Sequence, residues 1–177
     1  MPDSVSARVR ATIRDIPDFP SPGIVFKDIT PVLADPTLLS GVLTDMAMPF
    51  QDAHITHVVA IESRGFLFGV SIALLLGAAF APARKSGKLP WRTAREAYAL
   101  EYRDDVVEMH LDALSPGARV LIVDDVLATG GTAAATARLV KRLGGTIVGL
   151  AVLSELAFLG GRQQLPGVSV HAIVTYE

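Results

Sequence analysis

The chain has 177 residues, 50% of them apolar, enough to bury a sizeable core within one domain. A formal net charge of -2 argues against a general nucleic-acid binder, which needs a basic excess over one face, so a bound anion must meet locally concentrated positive charge. The absence of cysteine excludes a disulfide framework, a zinc–thiolate site and thiol catalysis.

Residues 1–13 mix charged and small side chains and lack the continuous apolar core of a signal peptide. Val5, Val9, Thr12 and Ile13 recur at helical spacing. This predicts a helix closed by Pro17 ahead of a fixed, extended loop, Pro17-Asp18-Phe19-Pro20-Ser21-Pro22-Gly23. A helix is expected over 37–50, a buried strand over 57–61 and a second helix over 66–76, ended by Gly77. Residues 78–82 read as another apolar strand, leading into Arg84-Lys85-Ser86-Gly87-Lys88. The apolar run 72–81 is broken by Gly77 and falls well short of the roughly 20 residues of a membrane span, so a soluble cytoplasmic protein is expected. Residues 96–102 and 106–111 alternate polar with apolar, and Arg103-Asp104-Asp105 between them could turn an antiparallel hairpin, more lid than core. A strand over 120–123, a helix over about 133–143, the break Gly144-Gly145 and a strand over 146–153 repeat the earlier order. Strands alternating with helices imply an α/β fold, a single domain over 1–177 with a central, mostly parallel sheet flanked by helices.

The segment Val120-Leu121-Ile122-Val123-Asp124-Asp125-Val126-Leu127-Ala128-Thr129-Gly130-Gly131-Thr132 carries the most chemistry. A buried strand passes through two acids into a small-residue loop that opens a helix. Free N–H groups and the dipole at a helix start favour an anion, Gly130 and Gly131 let the main chain approach it, and Thr129 and Thr132 can donate hydroxyls. The segment has neither the lysine of a Walker loop nor the dinucleotide glycine fingerprint. Asp124 and Asp125 sit where ligands of open α/β sheets bind. Two carboxylates would repel a phosphate, so they either accept hydrogen bonds from vicinal sugar hydroxyls or approach a divalent cation. The plainer alternative, a solvated strand end followed by a tight turn, does not account for strand, acid pair, Thr-Gly-Gly-Thr and helix in one unbroken order. A ribose phosphate meets both needs.

This segment resembles the PRPP-binding signature of the type I phosphoribosyltransferases. Further segments are similar to the adenine phosphoribosyltransferase family and spread the likeness over nearly the whole chain. Phe19-Pro20-Ser21-Pro22-Gly23-Ile24-Val25-Phe26-Lys27-Asp28-Ile29-Thr30-Pro31 resembles its base-covering hood, and Glu62-Ser63-Arg64-Gly65-Phe66 its pyrophosphate loop. Arg84-Lys85-Ser86-Gly87-Lys88-Leu89-Pro90 and Tyr98-Ala99-Leu100-Glu101-Tyr102 resemble its basic segment and mobile catalytic loop. Residues 155–177, with Gly161-Arg162 and a final Tyr176-Glu177, also follow the pattern. The resemblance implies the type I fold with an N-terminal helix and hood over 1–35 and a flexible β-hairpin lid over 84–111. It assigns Asp124, Asp125, Ala128, Thr129, Gly130, Gly131 and Thr132 to PRPP or AMP, and Ser63, Arg64, Arg84, Lys85 and Lys88 to pyrophosphate. Val25, Phe26, Lys27 and Val126 go to adenine, with Val126 standing where the family often has leucine. Arg64, Lys85 and Glu101 are the implied catalytic residues, Tyr102 belongs to the lid, and Lys88 or its neighbours reach the partner subunit's site. Adenine and PRPP as substrates, AMP as product, purine salvage and a homodimer follow from the same likeness. So does Mg2+ held mainly by substrate, near Asp124 and Asp125.

The residues taken alone leave alternatives open. Arg64, Arg84 and Lys85 each follow a strand and could converge on a polyanion, or the basic run could be a solvated loop. Phe26 could stack on a base or anchor the proline-rich loop. Glu101 could be a general acid/base whose pKa burial raises, or an exposed lid carboxylate. His54, His57, His110 and His171 show no metal-ligand spacing. Competing readings are a phosphoribosyltransferase for another base, a PRPP-sensing regulator and a flavodoxin-type nucleotide domain.

Overall fold

A computed structural model of the chain describes residues 4–100 and 103–177. The first helix, α1 (Val5–Thr12), starts at Ser4, whose side chain accepts the Ala7 N–H, and is followed by an antiparallel pair, β1 (Arg14–Pro17) and β2 (Val25–Asp28). That pair flanks the expected loop 17–23, which links its two strands; the strands themselves were not read from the sequence, because four residues are too few to show a period. After the short α2 (Thr30–Ala34), α3 (Pro36–Ala47) is capped by Asp35, which accepts the N–H groups of Thr37 and Leu38.

The main sheet begins with β3 (His57–Ile61), α4 (Phe66–Leu76) and β4 (Ala79–Lys85). Gly77 ends α4 in the left-handed conformation, φ 63°. The hairpin β5 (Thr93–Leu100) and β6 (Arg103–His110) follows, then β7 (Arg119–Leu127), α5 (Gly131–Arg142), β8 (Thr146–Leu156) and β9 (Ser169–Tyr176). The seven strands lie in the order β5-β6-β4-β3-β7-β8-β9. The five from β4 to β9 are mutually parallel, while the hairpin joins β4 antiparallel. Alternate residues of each central strand enter opposite cores: Val58, Ala60, Leu121, Val123, Ala151 and Leu153 on one face, Val59, Ile61, Val120, Ile122, Leu150 and Val152 on the other. α1, α3 and α4 cover the first core through Val9, Leu38, Val42, Met46, Phe68 and Ile72. α5 and the hairpin cover the second, which explains why these strands read as unbroken apolar runs.

Several strand boundaries differ from the sequence expectation: β8 runs on to Leu156 and β5 starts already at Thr93. β4 continues past Pro82 to Lys85, because β6 pairs with it only at Arg84 and Lys85 and leaves Pro82 with no donor to supply on that side. β7 continues past Val123 to Leu127, because β8 extends alongside and supplies partners, Asp124↔Val152 and Val126↔Ser154. The hairpin reverses between Leu100 and Arg103, which are paired, so Arg103, Asp104 and Asp105 are strand rather than turn. Its root is core as well: Tyr98, Val107 and Met109 are buried in the second cluster. The edge strand β9 was not apparent from the sequence. Among the described residues no helix is long and apolar enough to cross a membrane.

Pairing of β3 with β7 stops at Ala60↔Val123 and with β4 at Ile61↔Ala83. Beyond those points β4 stays with β6 and β7 with β8, so the sheet parts on either side of the end of β3. The chain also runs outward from β3 to β4 in one direction and from β7 to β9 in the other, which makes this the topological switch point.

Candidate active site

A cavity of about 300 Å³ occupies that parting. β3 delivers Glu62, Ser63 and Arg64 through a turn that closes at Gly65. A Cβ on Gly65 would stand 2.6 Å from the Ile61 carbonyl oxygen and 2.7 Å from that of Val123, so no larger residue lets the turn fold against both strands. The Glu62–Ser63 peptide is cis. β4 contributes Arg84 and Lys85, and β7 with the start of α5 contributes Asp124, Asp125, Val126 and every residue from Ala128 to Thr132. Twelve of the residues expected at the site therefore meet in one cavity.

Opposite charges are paired across it. Arg64 Nε lies 3.1 Å from Asp125 Oδ2, joining the ends of β3 and β7. Arg84 donates from Nε and Nη2 to the two Glu62 oxygens at 3.0 and 3.2 Å, and the Lys85 N–H donates to Glu62 at 3.0 Å. Lys85 Nζ lies 3.5 Å from Asp105, which also accepts the Tyr98 hydroxyl at 3.2 Å. Glu62, Tyr98 and Asp105 also line the cavity; Glu62 and Tyr98 lie in segments covered by the family likeness but received no role from the sequence, and Asp105 was read as part of a turn. Glu62 adjoins the recognised Ser63-Arg64 pair and could have been suspected, whereas Asp105 is placed only by the hairpin register.

Burial pushes the Asp124 carboxyl well above the usual carboxylate range, and the Asp125 charge beside it pushes the same way. Burial raises Asp125 too, against the pull of Arg64. The Asp125 N–H donates to Asp124 Oδ1 at 2.9 Å. In the free protein this pair holds protons more readily than ordinary acids.

α5 begins at Gly130, in the left-handed conformation at φ 83°, without any side-chain cap. Its first N–H groups thus adjoin the cavity with the helix dipole behind them. The loop before it is packed against Gly161: a Cβ on Gly130 would strike the Gly161 carbonyl, and one on Gly161 the Ala128 carbonyl. Arg162 is fixed in turn by Glu155 at 2.6 and 2.7 Å.

Other expected residues lie outside the cavity. Phe26 adjoins it through Arg64, whose guanidinium carbon is 5.1 Å from the ring centroid, and Phe19 meets Phe26 edge-on at 5.2 Å. Val25 is half-exposed, and the Lys27 side chain turns to Asp15 at 2.6 Å and to the Tyr176 ring at 4.3 Å. Lys88 does not line the cavity; its carbonyl accepts from Arg84 Nη1 at 3.1 Å. Glu101 and Tyr102 lie outside the described residues.

An uncapped helix start, paired cations and two acids in one cavity suit a sugar that carries anionic groups. Fold and site define a type I phosphoribosyltransferase. The sequence pattern of the phosphoribosyl transferase domain matches residues 44–162. Adenine phosphoribosyltransferase of Myxococcus xanthus is 59% identical over 170 residues, 96% of this chain and 92% of that protein. The crystal structure of adenine phosphoribosyltransferase from Rhodothermus marinus superposes with a TM-score of 0.93 at 54% identity, covering 97% of this chain and 98% of that one. That of the Saccharomyces cerevisiae enzyme, complexed with an imino-altritol bisphosphate and adenine, gives 0.92 at 37% identity over 96% and 98% of the two chains. The chain belongs to the adenine phosphoribosyltransferase family.

The Glu62 network has a pH signature. Burial raises the Glu62 carboxyl, but the hydrogen bonds from Arg84 and Lys85 and the charge of Arg84 outweigh it and hold the group below its ordinary 4.5. A carboxyl with a lower pKa folded than unfolded stabilises fully above the unfolded value and loses that contribution as pH falls through the folded one. The melting temperature of Glu62→Gln should therefore trail that of the unaltered protein at neutral pH, with the gap closing below about pH 4.5. A gap independent of pH, measured by calorimetry, would refute this.

Proposed function

We propose that this chain transfers the 5-phosphoribosyl group of PRPP to adenine, forming AMP and releasing pyrophosphate in purine salvage. The observation that carries this reading is the meeting of Asp124 and Asp125 with the uncapped start of α5 and the Arg84–Lys85 pair within one cavity. In the proposed complex the 5-phosphate takes the N–H groups and hydroxyls of Ala128 to Thr132, and the ribose hydroxyls take the two acids. Pyrophosphate takes Ser63, Arg64, Arg84 and Lys85, with Lys88 as a further contributor. Adenine lies beneath the hood, between Val25, Phe26 and Lys27 on one side and Val126 on the other.

In the reaction the bond from the anomeric carbon to the pyrophosphate oxygen breaks with its electron pair leaving on oxygen. A ring nitrogen of adenine attacks the same carbon and gives up its proton. Positive charge grows on the sugar and negative charge on the leaving group, as in other glycosyl transfers. Arg64, Arg84 and Lys85 meet the leaving charge already oriented by Asp125, Glu62 and Asp105, so little reorganisation accompanies bond breaking. Glu101 is the proposed general acid/base at the imidazole edge of adenine. Closure of residues 85–102 over the site would exclude water from the electrophilic sugar.

Among the described residues no three or more acidic, histidine or cysteine side chains cluster to hold an ion by themselves. The Asp124–Asp125 pair offers only oxygen donors, which fits Mg2+, an ion that commonly keeps water and substrate phosphates and uses one or two carboxylates. When bound, Mg2+ supplies charge neutralisation on the pyrophosphate.

A homodimer and a cytoplasmic location complete the proposal. Leu67, Val70 and Leu74 form one stripe of α4 and are 49, 47 and 78% exposed, an apolar face of the kind that marks an interface.

The decisive assay measures pyrophosphate release from PRPP and Mg2+ with adenine, guanine, hypoxanthine, xanthine, uracil and orotate supplied singly. Release is expected with adenine. Another preferred base would overturn the hood assignment, and silence with all six despite PRPP binding would favour a regulator. Replacing Asp124 and Asp125 together by asparagine should weaken PRPP binding about a hundredfold or more with the melt still cooperative; unchanged binding by calorimetry refutes the ribose assignment. Leu74→Glu should halve the mass seen by light scattering, and an unaltered dimer would place the interface elsewhere.

A further inference from the structure

Glu108 is a carboxylate with 0% exposure that the proposed reaction does not use. Buried carboxylates persist only where hydrogen bonds and ion pairs compensate them. One Glu108 oxygen accepts three successive backbone N–H groups, from Gly87 at 2.9 Å, Lys88 at 3.2 Å and Leu89 at 3.2 Å. The other accepts the Thr93 hydroxyl at 3.4 Å and pairs with Arg95 Nε at 3.1 Å. Consecutive N–H groups converging in a turn make an anion-binding nest, and here the anion belongs to the chain itself. Gly87, at φ 79°, gives the turn its left-handed residue.

The same turn reaches the cavity. Leu89 N–H and Lys88 C=O belong to one planar peptide unit, so their directions are locked together. The N–H end of that unit is held by Glu108 and the C=O end accepts Arg84 Nη1 at 3.1 Å. Glu62 fixes the rest of the guanidinium through Nε and Nη2, and the Phe66 ring centroid lies 6.0 Å from its carbon. Without Glu108, the Gly87 and Leu89 N–H groups would lose their acceptor, while the Lys88 N–H keeps the Lys85 carbonyl at 3.3 Å, and the turn would have to refold to satisfy them. Arg84 would then lose the contact that Glu62 does not supply.

We infer that Glu108 is a positioning residue: its buried carboxylate folds the 87–89 turn so that the Lys88 carbonyl sets the Arg84 guanidinium in the cavity. The inference rests on the proposed role of Arg84 in binding the pyrophosphate group. It extends the site to a residue whose own side chain is screened from substrate.

The test is a double-mutant cycle of E108A and R84A, reading KM for PRPP, KM for adenine and kcat, with melting curves for each protein. E108A should raise KM for PRPP about tenfold, the size of one lost charge-assisted hydrogen bond, and leave KM for adenine within about twofold. E108Q keeps one carbonyl oxygen for the nest and should recover most of that loss. In the R84A background E108A should change KM for PRPP by less than about twofold, because its target is gone. Multiplying effects, or equal shifts in both KM values, would overturn the inference while leaving Arg84 in its role. A normal KM for PRPP in R84A alone would instead remove Arg84 from pyrophosphate binding, and the inference with it. Should E108A fail to melt cooperatively, the E108Q and R84A cycle decides, with about a threefold effect expected in place of tenfold.

Discussion

The ion pair between Arg64 and Asp125 spans the one place where the sheet divides. β3 ends there, β4 continues with β6 and β7 with β8, and a buried acid at the end of β7 needs a cation from the neighbouring strand. Arg64 meets that need and at the same time lies over the Phe26 ring, its guanidinium carbon 5.1 Å from the centroid. A single side chain thus links the acid pair, the turn after β3 and the β1–β2 segment. Because Gly65 is closed in by two backbone oxygens, the turn that aims Arg64 has little freedom to aim it elsewhere.

Among the described residues every basic side chain lining the cavity has an acidic partner: Asp125 for Arg64, Glu62 for Arg84, Asp105 for Lys85. This reconciles a chain of net charge -2 with a site suited to polyanions. The cations are concentrated locally, and their own carboxylates balance them while the site is free. An entering polyanion would have to compete with those carboxylates, which would weaken ground-state binding while keeping each donor aimed. Preorganisation of that kind favours charge that develops during reaction over charge that is merely bound.

The end of the cavity formed by the start of α5 relies on backbone instead. α5 lacks a side-chain cap, so its first N–H groups remain for a ligand, and the loop ahead of it is fixed by reciprocal close approach of Gly130 and Gly161. The carboxyl-terminal segment therefore contributes to the site without touching the cavity. Its Arg162–Glu155 pair holds the strand-to-strand connection that carries Gly161.

The bounds of β3 and α4, the order of strand, acid pair, glycine loop and helix, and the membership of most of the cavity were legible in the sequence. Those features rest on local patterns: apolar runs, a left-handed glycine stop, an acid pair next to small residues. The ends of β4 and β7, the β1–β2 pair, the edge strand β9 and the reversal between Leu100 and Arg103 were not legible, because each depends on which strand lies alongside. The partners Glu62 for Arg84, Asp105 for Lys85 and Glu108 for the 87–89 turn are about twenty residues apart in the chain, and only strand register brings them together. Sequence by itself determined the kind of chemistry, since that is written in residue types at short spacing. Tertiary structure alone decided how each charge is held, because a hydrogen bond between distant residues is a property of the sheet that aligns them.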